Sequence, residues 1–420
     1  MTPTLQTLAD LRAGRLAGAT HVDLRHCQLA EFPRELFDLA DTLEQLDLSG
    51  NPLRALPDDL PRLHALRTLF CSNCAFDTLP AVLGRCERLD LVGFKANAIA
   101  HVPAESLHPQ LRWLILSGNR VDAIPETIGA CHRLQKLALA GNRLTALPAG
   151  LGRCESLELI RLSANGFERW DDALPAGLLA LPRLTWLAFA GNPFNLAQET
   201  RALQATPIAA IPWTTLQVGE LLGQGASGHI HAARWRTITG GDRPVAVKLF
   251  KGEVTSDGLP ASEMAACIAA GVHAHLIGVE GRIAGHPLGT QGLVLGLIPP
   301  HYRSLAGPPS LASCSRDVYA AGRRFTATQA RAIATGTRDA LAHLHARGLM
   351  HGDFYGHNIL VDEAGHALLG DFGAASFLPD HDDAMAEALR RIDRRAVGVL
   401  VDELAQRCDE PGALAEQRSF

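Results

Sequence analysis

The sequence predicts an α/β solenoid of stacked repeats over its first half and a separate, non-repeating domain over its second. Three observations carry this expectation. An apolar pattern recurs eight times up to Asn192. The pattern ends near Asn195, where a short Ala- and Pro-containing stretch, Ala205 to Pro212, leads to Trp213. Beyond Trp213 come a glycine-rich turn and a strand ending in one of the few lysines of the chain. With 420 residues, each half is long enough to bury a core of its own.

The repeating segments are VDLRHCQL, LDLSGNPL, LFCSNCAF, VGFKANAI, LILSGNRV, LALAGNRL, IRLSANGF and LAFAGNPF. In each, apolar residues alternate and an Asn or Cys follows three residues after the second. That ladder runs Cys27, Asn51, Cys74, Asn97, Asn119, Asn142, Asn165 and Asn192, with gaps of 24, 23, 23, 22, 23, 23 and 27 residues. Alternation makes a short strand with one face inward. The ladder amide satisfies backbone groups where the chain leaves the strand, and Cys packs there as a small buried residue. The pattern resembles the leucine-rich repeat, whose units stack into a curved solenoid because none can bury its apolar face alone.

Other signals fall into the same register. Leu56-Pro57, Leu79-Pro80, Ile124-Pro125 and Leu147-Pro148 start the return segments of the convex side. Cys71 and Cys74 have the spacing of a redox or zinc pair, but they occupy an inward strand position and a ladder position, so they read as core. Cys86, Cys131 and Cys154 share one phase of the repeat and also read as convex-side core. The outward strand residues Phe70, Lys95, Trp113, Ile115, Lys136, Arg161 and Trp186 are expected to form a concave surface for a protein partner. Aromatic and basic side chains carry much of the energy in such interfaces.

Composition excludes several classes. A net charge of −5 gives no reason to expect nucleic acid or an anionic membrane as partner. No apolar run approaches the ~18–20 residues that span a bilayer. The stretch Met1 to Asp10 lacks the basic start and apolar core of a secretory signal, so the cytoplasm is the expected compartment. Only Lys95, Lys136, Lys248 and Lys251 occur, which makes each lysine informative.

In the second half, Leu221-Leu222-Gly223-Gln224-Gly225-Ala226-Ser227-Gly228-His229-Ile230 would by itself fit a dinucleotide fold as well as a phosphate loop. Val245-Ala246-Val247-Lys248 follows, and the two together resemble the Gly-rich loop and third-strand lysine of protein kinases. Met350-His351-Gly352-Asp353-Phe354-Tyr355-Gly356-His357-Asn358-Ile359-Leu360 is similar to the kinase catalytic loop, and Asp371-Phe372-Gly373 lies eighteen residues beyond Asp353, as the metal-binding triplet does. The resemblance covers nearly the whole chain. It implies a bacterial leucine-rich repeat protein kinase, that is, an α/β leucine-rich repeat solenoid (1–200), a linker (201–212) and an α+β bilobal protein-kinase-like domain (213–420) with a truncated C-lobe.

On that resemblance the cofactors are ATP and Mg²⁺. Gly223, Gly225, Ser227 and Gly228 would let the backbone approach the phosphates, and Lys248 would neutralise them, paired with Glu263 of the helical stretch Ala261 to Ala270. Ile230, Ala246 and Leu360 would cover the adenine, and Leu295 and Leu297 would belong to the hinge that binds it. Asp353 would position and deprotonate the accepting hydroxyl, with Asn358 and Asp371 holding Mg²⁺.

Three departures qualify the resemblance. Gly352 replaces the Arg that in many kinases contacts a phosphorylated activation loop. Tyr355 stands where protein-serine kinases usually have Lys. No APE-like triplet follows Asp371-Phe372-Gly373; instead Asp393 to Leu404 resembles the helix D-V-W-S-x-G-V-L-x-x-E-L, about twenty residues on, and the chain stops sixteen residues after Leu404. These features imply a reduced peptide platform and missing last helices. Transfer to Ser or Thr hydroxyls is the expected activity. The alternatives are a pseudokinase acting as an ATP-binding scaffold, and a small-molecule kinase, because His351-Gly352-Asp353 with Asn358 also resembles the loop of aminoglycoside and choline phosphotransferases.

Overall fold

The computed structural model describes residues 2–205, 208–225, 227–237, 240–252, 254–255 and 257–418, and Ala226 of the glycine-rich turn lies outside them. The chain forms two compact units, Met1–Leu184 and Thr185–Phe420.

The first unit opens with helix α1 (Pro3–Arg12), whose first turn is capped by the Thr2 hydroxyl. Seven three-residue strands follow: β1 (His21–Asp23), β2 (Gln45–Asp47), β3 (Thr68–Phe70), β4 (Leu91–Gly93), β5 (Trp113–Ile115), β6 (Lys136–Ala138) and β7 (Leu159–Arg161). They pair in parallel, each with the next in sequence. Leu46, Leu69, Leu114, Leu137 and Ile160 fill the inward side and are almost wholly buried. The return segments are mostly 3₁₀ helices, and Pro80, Pro125 and Pro148 stand in extended conformation just before three of them. Two short α-helices, α2 (Trp170–Ala173) and α3 (Ala176–Leu179), end the unit.

The ladder works as its pattern suggests. Asn51 donates to Leu24 O (2.9 Å) and Leu48 O (2.7 Å) and accepts from Leu29 N (3.0 Å), so one side chain ties two repeats together. Asn97, Asn119, Asn142 and Asn165 repeat this arrangement. Cys74 substitutes a thiol contact to Leu48 O at 3.5 Å. Cys71, Cys86, Cys131 and Cys154 are buried free thiols. Burial raises the Cys86, Cys131 and Cys154 thiols to about 11, 11 and 12, which removes them from thiolate chemistry.

Of the outward residues expected to meet a partner, Lys95 is exposed and Phe70, Ile115 and Lys136 are half-buried. Trp113 and Arg161 are buried, which withdraws them from the expected surface. The Lys136 ammonium stands 4.8 Å from the centroid of the Trp113 ring and covers it.

The second unit begins with strand β8 (Trp186–Ala188) and helix α4 (Pro193–Ala205). Within the segment expected to be a linker, 201–205 complete α4, and β9 (Ala210–Pro212) is an edge strand. A six-stranded sheet follows in the order β10-β11-β12-β14-β13-β9, with β10 (Leu216–Gln224), β11 (Gly228–Arg236), β12 (Asp242–Phe250), β13 (Val279–Ala284) and β14 (Gly292–Gly296). Helix α5 (Pro260–Ala270) connects β12 to β13. The remainder is built on helix α6 (Ala327–Ala346), closed at its start by a Thr326–Gln329 capping box, and helix α7 (Asp383–Arg407). Ahead of α6, β15 (Arg303–Ser304) joins β17 (Ile359–Val361) and β18 (Ala367–Leu369), which follow it, in one small sheet, and β16 (Leu349–Met350) pairs with β19 (Ser376–Phe377). Helix α7 starts ten residues ahead of the motif that suggested it, because Met385, Leu389, Ile392 and Ala396 extend one buried stripe back to an Asp382 cap. Among the described residues no helix is long and apolar enough to cross a membrane.

Candidate active site

Strand alternation gives the six-stranded sheet two distinct faces. In Val245-Ala246-Val247-Lys248 the two valines enter a core with Ile211, Leu216, Ala233, Ile283 and Val294. Ala246 and Lys248 therefore point to the opposite face. The register extends that face: Ile230 pairs with Lys248, and Ala246 pairs with Leu295. Ile230, Ala246, Lys248 and Leu295 thus share one side of the sheet, and Leu297 lies just past the end of β14 and is exposed. Leu360 sits on β17, half-buried.

The glycine-rich turn joins β10 to β11. Gly225 N donates to Gly228 O (3.0 Å), and Lys251 binds the turn twice, through its amide to Ser227 O (2.9 Å) and its ammonium to Gly225 O (3.0 Å). A methyl at Gly228 would meet Leu249 O at 2.3 Å, so the strands can approach only with glycine there. A methyl at Gly223 or Gly225 meets no protein atom within 4 Å, which leaves that side of the turn open to phosphate oxygens.

Helix α5 brings Glu263 to Lys248, whose ammonium donates to Glu263 Oε1, with both side chains almost fully buried. Burial alone would lower the Lys248 ammonium; Glu263, with Cys267 and Asp371 nearby, more than reverses this and leaves it raised. Burial likewise pushes the Glu263 carboxyl up against the pull of Lys248, with Asp371 adding to the rise. Each side chain offsets part of the cost of burying the other.

The catalytic-loop segment is held from behind by Asp393 on α7, which is fully buried. It accepts from His351 N (2.7 Å), Gly352 N (3.0 Å) and His345 Nε2 (3.1 Å). His351 accepts from Asp353 N at Nδ1 (3.3 Å) and donates to Gly370 O from Nε2 (3.0 Å), so its neutral ring ties the loop to the residue before Asp371. Asn358 Nδ2 donates to the Asp353 carboxylate (Oδ2, 2.9 Å) and to Asp353 O (2.9 Å). That double contact fixes the Asp353 rotamer. Because the amide nitrogen makes both contacts, the Asn358 amide oxygen is not used in holding Asp353.

Asp371 has φ +54 and an exposed side chain, and accepts from Gly373 N at 3.1 Å. Among the described residues no cluster of three or more His, Cys, Asp or Glu could bind a metal unaided. One carboxylate and one amide oxygen are nevertheless the donor set of a Mg²⁺ that takes its other ligands from phosphates and water. The residues therefore fit the cation that the resemblance implies.

Several residues at this site were not assigned from the sequence. Asp393 was visible only as the first residue of a helix motif. Asp317, in the loop before α6, accepts from His357 N (3.1 Å) and His357 Nδ1 (2.7 Å). Burial would lower the His357 imidazole, but Asp317, with Asp353 and Asp371, leaves it raised. Trp186 requires a correction. Its ring lies flat on Tyr355, with centroids 4.2 Å apart and planes 6° from parallel, and its Nε1 donates to Phe354 O at 3.0 Å. The residue is 1% exposed and offers nothing to a partner. Its outward position was legible, but the group covering it lies 169 residues away in the chain.

Comparison with known proteins agrees with the two halves. The family model for the protein kinase domain matches residues 216–391, and leucine-rich repeat models match 42–63 and 109–167. A probable serine/threonine-protein kinase of Arabidopsis thaliana is 28% identical over 109 residues, 26% of this chain and 14% of that protein. A serine/threonine-protein kinase US3 homolog of Gallid herpesvirus 2 is 43% identical over 51 residues, 12% of this chain and 13% of that one. The human leucine-rich repeat-containing protein 58 is 34% identical over 116 residues, 25% of this chain and 31% of that protein. The chain spans less than a third of the length of each of these relatives. It joins leucine-rich repeats to a protein kinase domain whose relatives include serine/threonine kinases.

Proposed function

We propose that this chain transfers the γ-phosphoryl group of ATP to a Ser or Thr hydroxyl of a protein, in the cytoplasm, with the repeats selecting the target. The observation that carries this reading is the Asn358–Asp353 contact beside a closed, buried Lys248–Glu263 pair. Asp353 is held where it can orient an incoming hydroxyl and take its proton. Lys248, fixed by Glu263, presents a compact positive charge to the phosphates, and the open side of Gly223 and Gly225 gives them backbone amides. Asn358 and Asp371 would hold Mg²⁺, which supplies charge neutralisation at the phosphates when bound. Ile230, Ala246, Leu295 and Leu360 would sandwich the adenine, with Leu297 at the hinge. Phe70, Lys95, Ile115 and Lys136 remain as the outward residues for the protein partner.

One observation favours a second reading. Only residues 374–382 separate Gly373 from α7, so little chain remains to form a peptide platform, and a small hydroxylated acceptor would need less. Incubation with γ-labelled ATP and Mg²⁺ separates the two, using generic proteins, aminoglycosides and choline as acceptors. The protein-kinase reading predicts label on phosphoserine or phosphothreonine. Label confined to the small molecules, or ATP binding with no transfer at all, would contradict it.

A further inference from the structure

The last repeat of the sequence supplies strand β8 and helix α4, and within the second unit these touch three parts of the site that must be aligned for transfer. The first is the catalytic loop. Leu187 N donates to Gly352 O (3.2 Å), and Trp186 stacks on Tyr355, two residues past Asp353. Gly352 has φ +72, and a methyl there would meet Leu187 O at 2.4 Å and Ala374 O at 2.8 Å. The glycine that replaces the family's arginine is therefore the residue that lets β8 reach the loop. The second part is the segment after Asp371-Phe372-Gly373. Ser376 Oγ accepts from Phe189 N (3.3 Å), and Leu378 O accepts from Gln198 Nε2 (3.0 Å).

The third part is helix α5. Glu199 on α4 is buried, accepts from Gly191 N through Oε1 (2.8 Å) and from the Ser262 hydroxyl through Oε2 (2.6 Å). Ser262 immediately precedes Glu263. Burying a carboxylate is costly, and two donors recover only part of that cost. A buried carboxylate used in this way serves position more than stability. Here it fixes the helix that carries the partner of Lys248.

We infer that Trp186 and Glu199 are positioning residues, and that the β8–α4 segment holds the kinase site in its aligned state without phosphorylation of the activation segment. The inference rests on the phosphoryl-transfer reading for its consequence in catalysis, but the clamp itself has a physical signature independent of activity. Each contact is made by an uncharged or fully buried group of the chain itself, so no added phosphate is needed to hold Gly352, Ser376 or Ser262.

The test uses the full chain and the variants Glu199→Gln, Ser262→Ala, Trp186→Phe and Trp186→Ala. Hydrogen exchange followed by mass spectrometry reads α5 and residues 351–358, with the strands β2–β6 as internal control. Loss of one buried hydrogen bond corresponds to about a tenfold rise in local opening. Glu199→Gln and Ser262→Ala are expected to raise exchange in α5 about tenfold, while the control strands stay unchanged. Trp186→Phe is expected to loosen 351–358 less than Trp186→Ala does, because it keeps the stack and loses only the indole bond. In activity assays the variants lower kcat more than they raise KM for ATP, and phosphatase treatment of the wild-type protein leaves its rate unchanged. Unaltered exchange in α5 for both Glu199→Gln and Ser262→Ala would overturn the clamp, as would loss of activity on phosphatase treatment. If the wild-type protein transfers nothing to any acceptor, the phosphoryl-transfer reading fails, and the exchange result still decides the clamp.

Discussion

In the first unit, Asn119 donates to Phe94 O (2.9 Å) and Leu116 O (2.8 Å) and accepts from Ile99 N (3.0 Å), and Asn142 repeats the arrangement one repeat later with Leu116, Leu139 and Val121. In the second unit, Asp393 gathers three donors, and Glu199, Glu263 and Asp317 each bind a partner of their own. The repeat solves one satisfaction problem many times with neighbours on either side. The kinase site solves several different problems once each, across long stretches of sequence. Redundancy in the first unit permits substitution, and Cys27 and Cys74 stand at ladder positions with only weak thiol contacts. Uniqueness in the second unit does not.

The largest effect that would break or sharpen this contrast is at Asp393. Asp393→Ala strands His351 N, Gly352 N and His345 Nε2 in a dry interior, and at ~1–3 kcal/mol for each unsatisfied group the second unit should lose at least about 3 kcal/mol. Urea unfolding monitored in the second unit measures this, and a cost below about 1 kcal/mol would remove the basis of the contrast. Next comes the ladder. Asn142→Ala leaves the Val121 amide without its partner, while Leu116 O and Leu139 O keep Asn119 and Asn165 as donors, and should cost about 1–3 kcal/mol. Asn142→Cys copies the Cys74 arrangement and should cost about half as much or less. Equal costs for the two variants would show that the ladder has no tolerance.

The smallest effect concerns pH. Burial, reinforced by Asp317, raises the Glu403 carboxyl on α7 from its ordinary 4.5 to about 7. Between those values the unfolded chain has ionised this group while the folded chain still holds its proton. Stability of the second unit therefore falls as pH rises through that interval and the effect levels off above about 7. Glu403→Gln removes this contribution, so its melting temperature relative to wild type should rise between pH 5 and pH 8. A difference that stays constant with pH would show that Glu403 ionises normally in the fold.

What could be read from the sequence follows the same division. The ladder, the proline-led return segments and the buried phase of Cys86, Cys131 and Cys154 were legible because each recurs at a fixed period. Lys248 was legible because Val245-Ala246-Val247-Lys248 follows the glycine-rich turn in a chain with only four lysines. Asp317, Asp393 and Glu199 carry no local signature, since a buried carboxylate is identified by the donors around it and those donors lie far off in the chain. The early start of α7 could have been found from the spacing of Met385, Leu389, Ile392 and Ala396. Trp186 shows the opposite case. Its outward direction was evident, but nothing near it in sequence indicated that Tyr355 would cover it.

The measurement that tests the central claim most directly is the rate of phosphoryl transfer from γ-labelled ATP by Asp353→Asn beside the wild-type protein, with ATP affinity measured in parallel. Loss of a general base typically costs ~10²–10⁴-fold, so the variant should transfer that much more slowly while binding ATP about as well. A variant that transfers at the wild-type rate would contradict the assignment of Asp353 and, with it, the proposed mechanism.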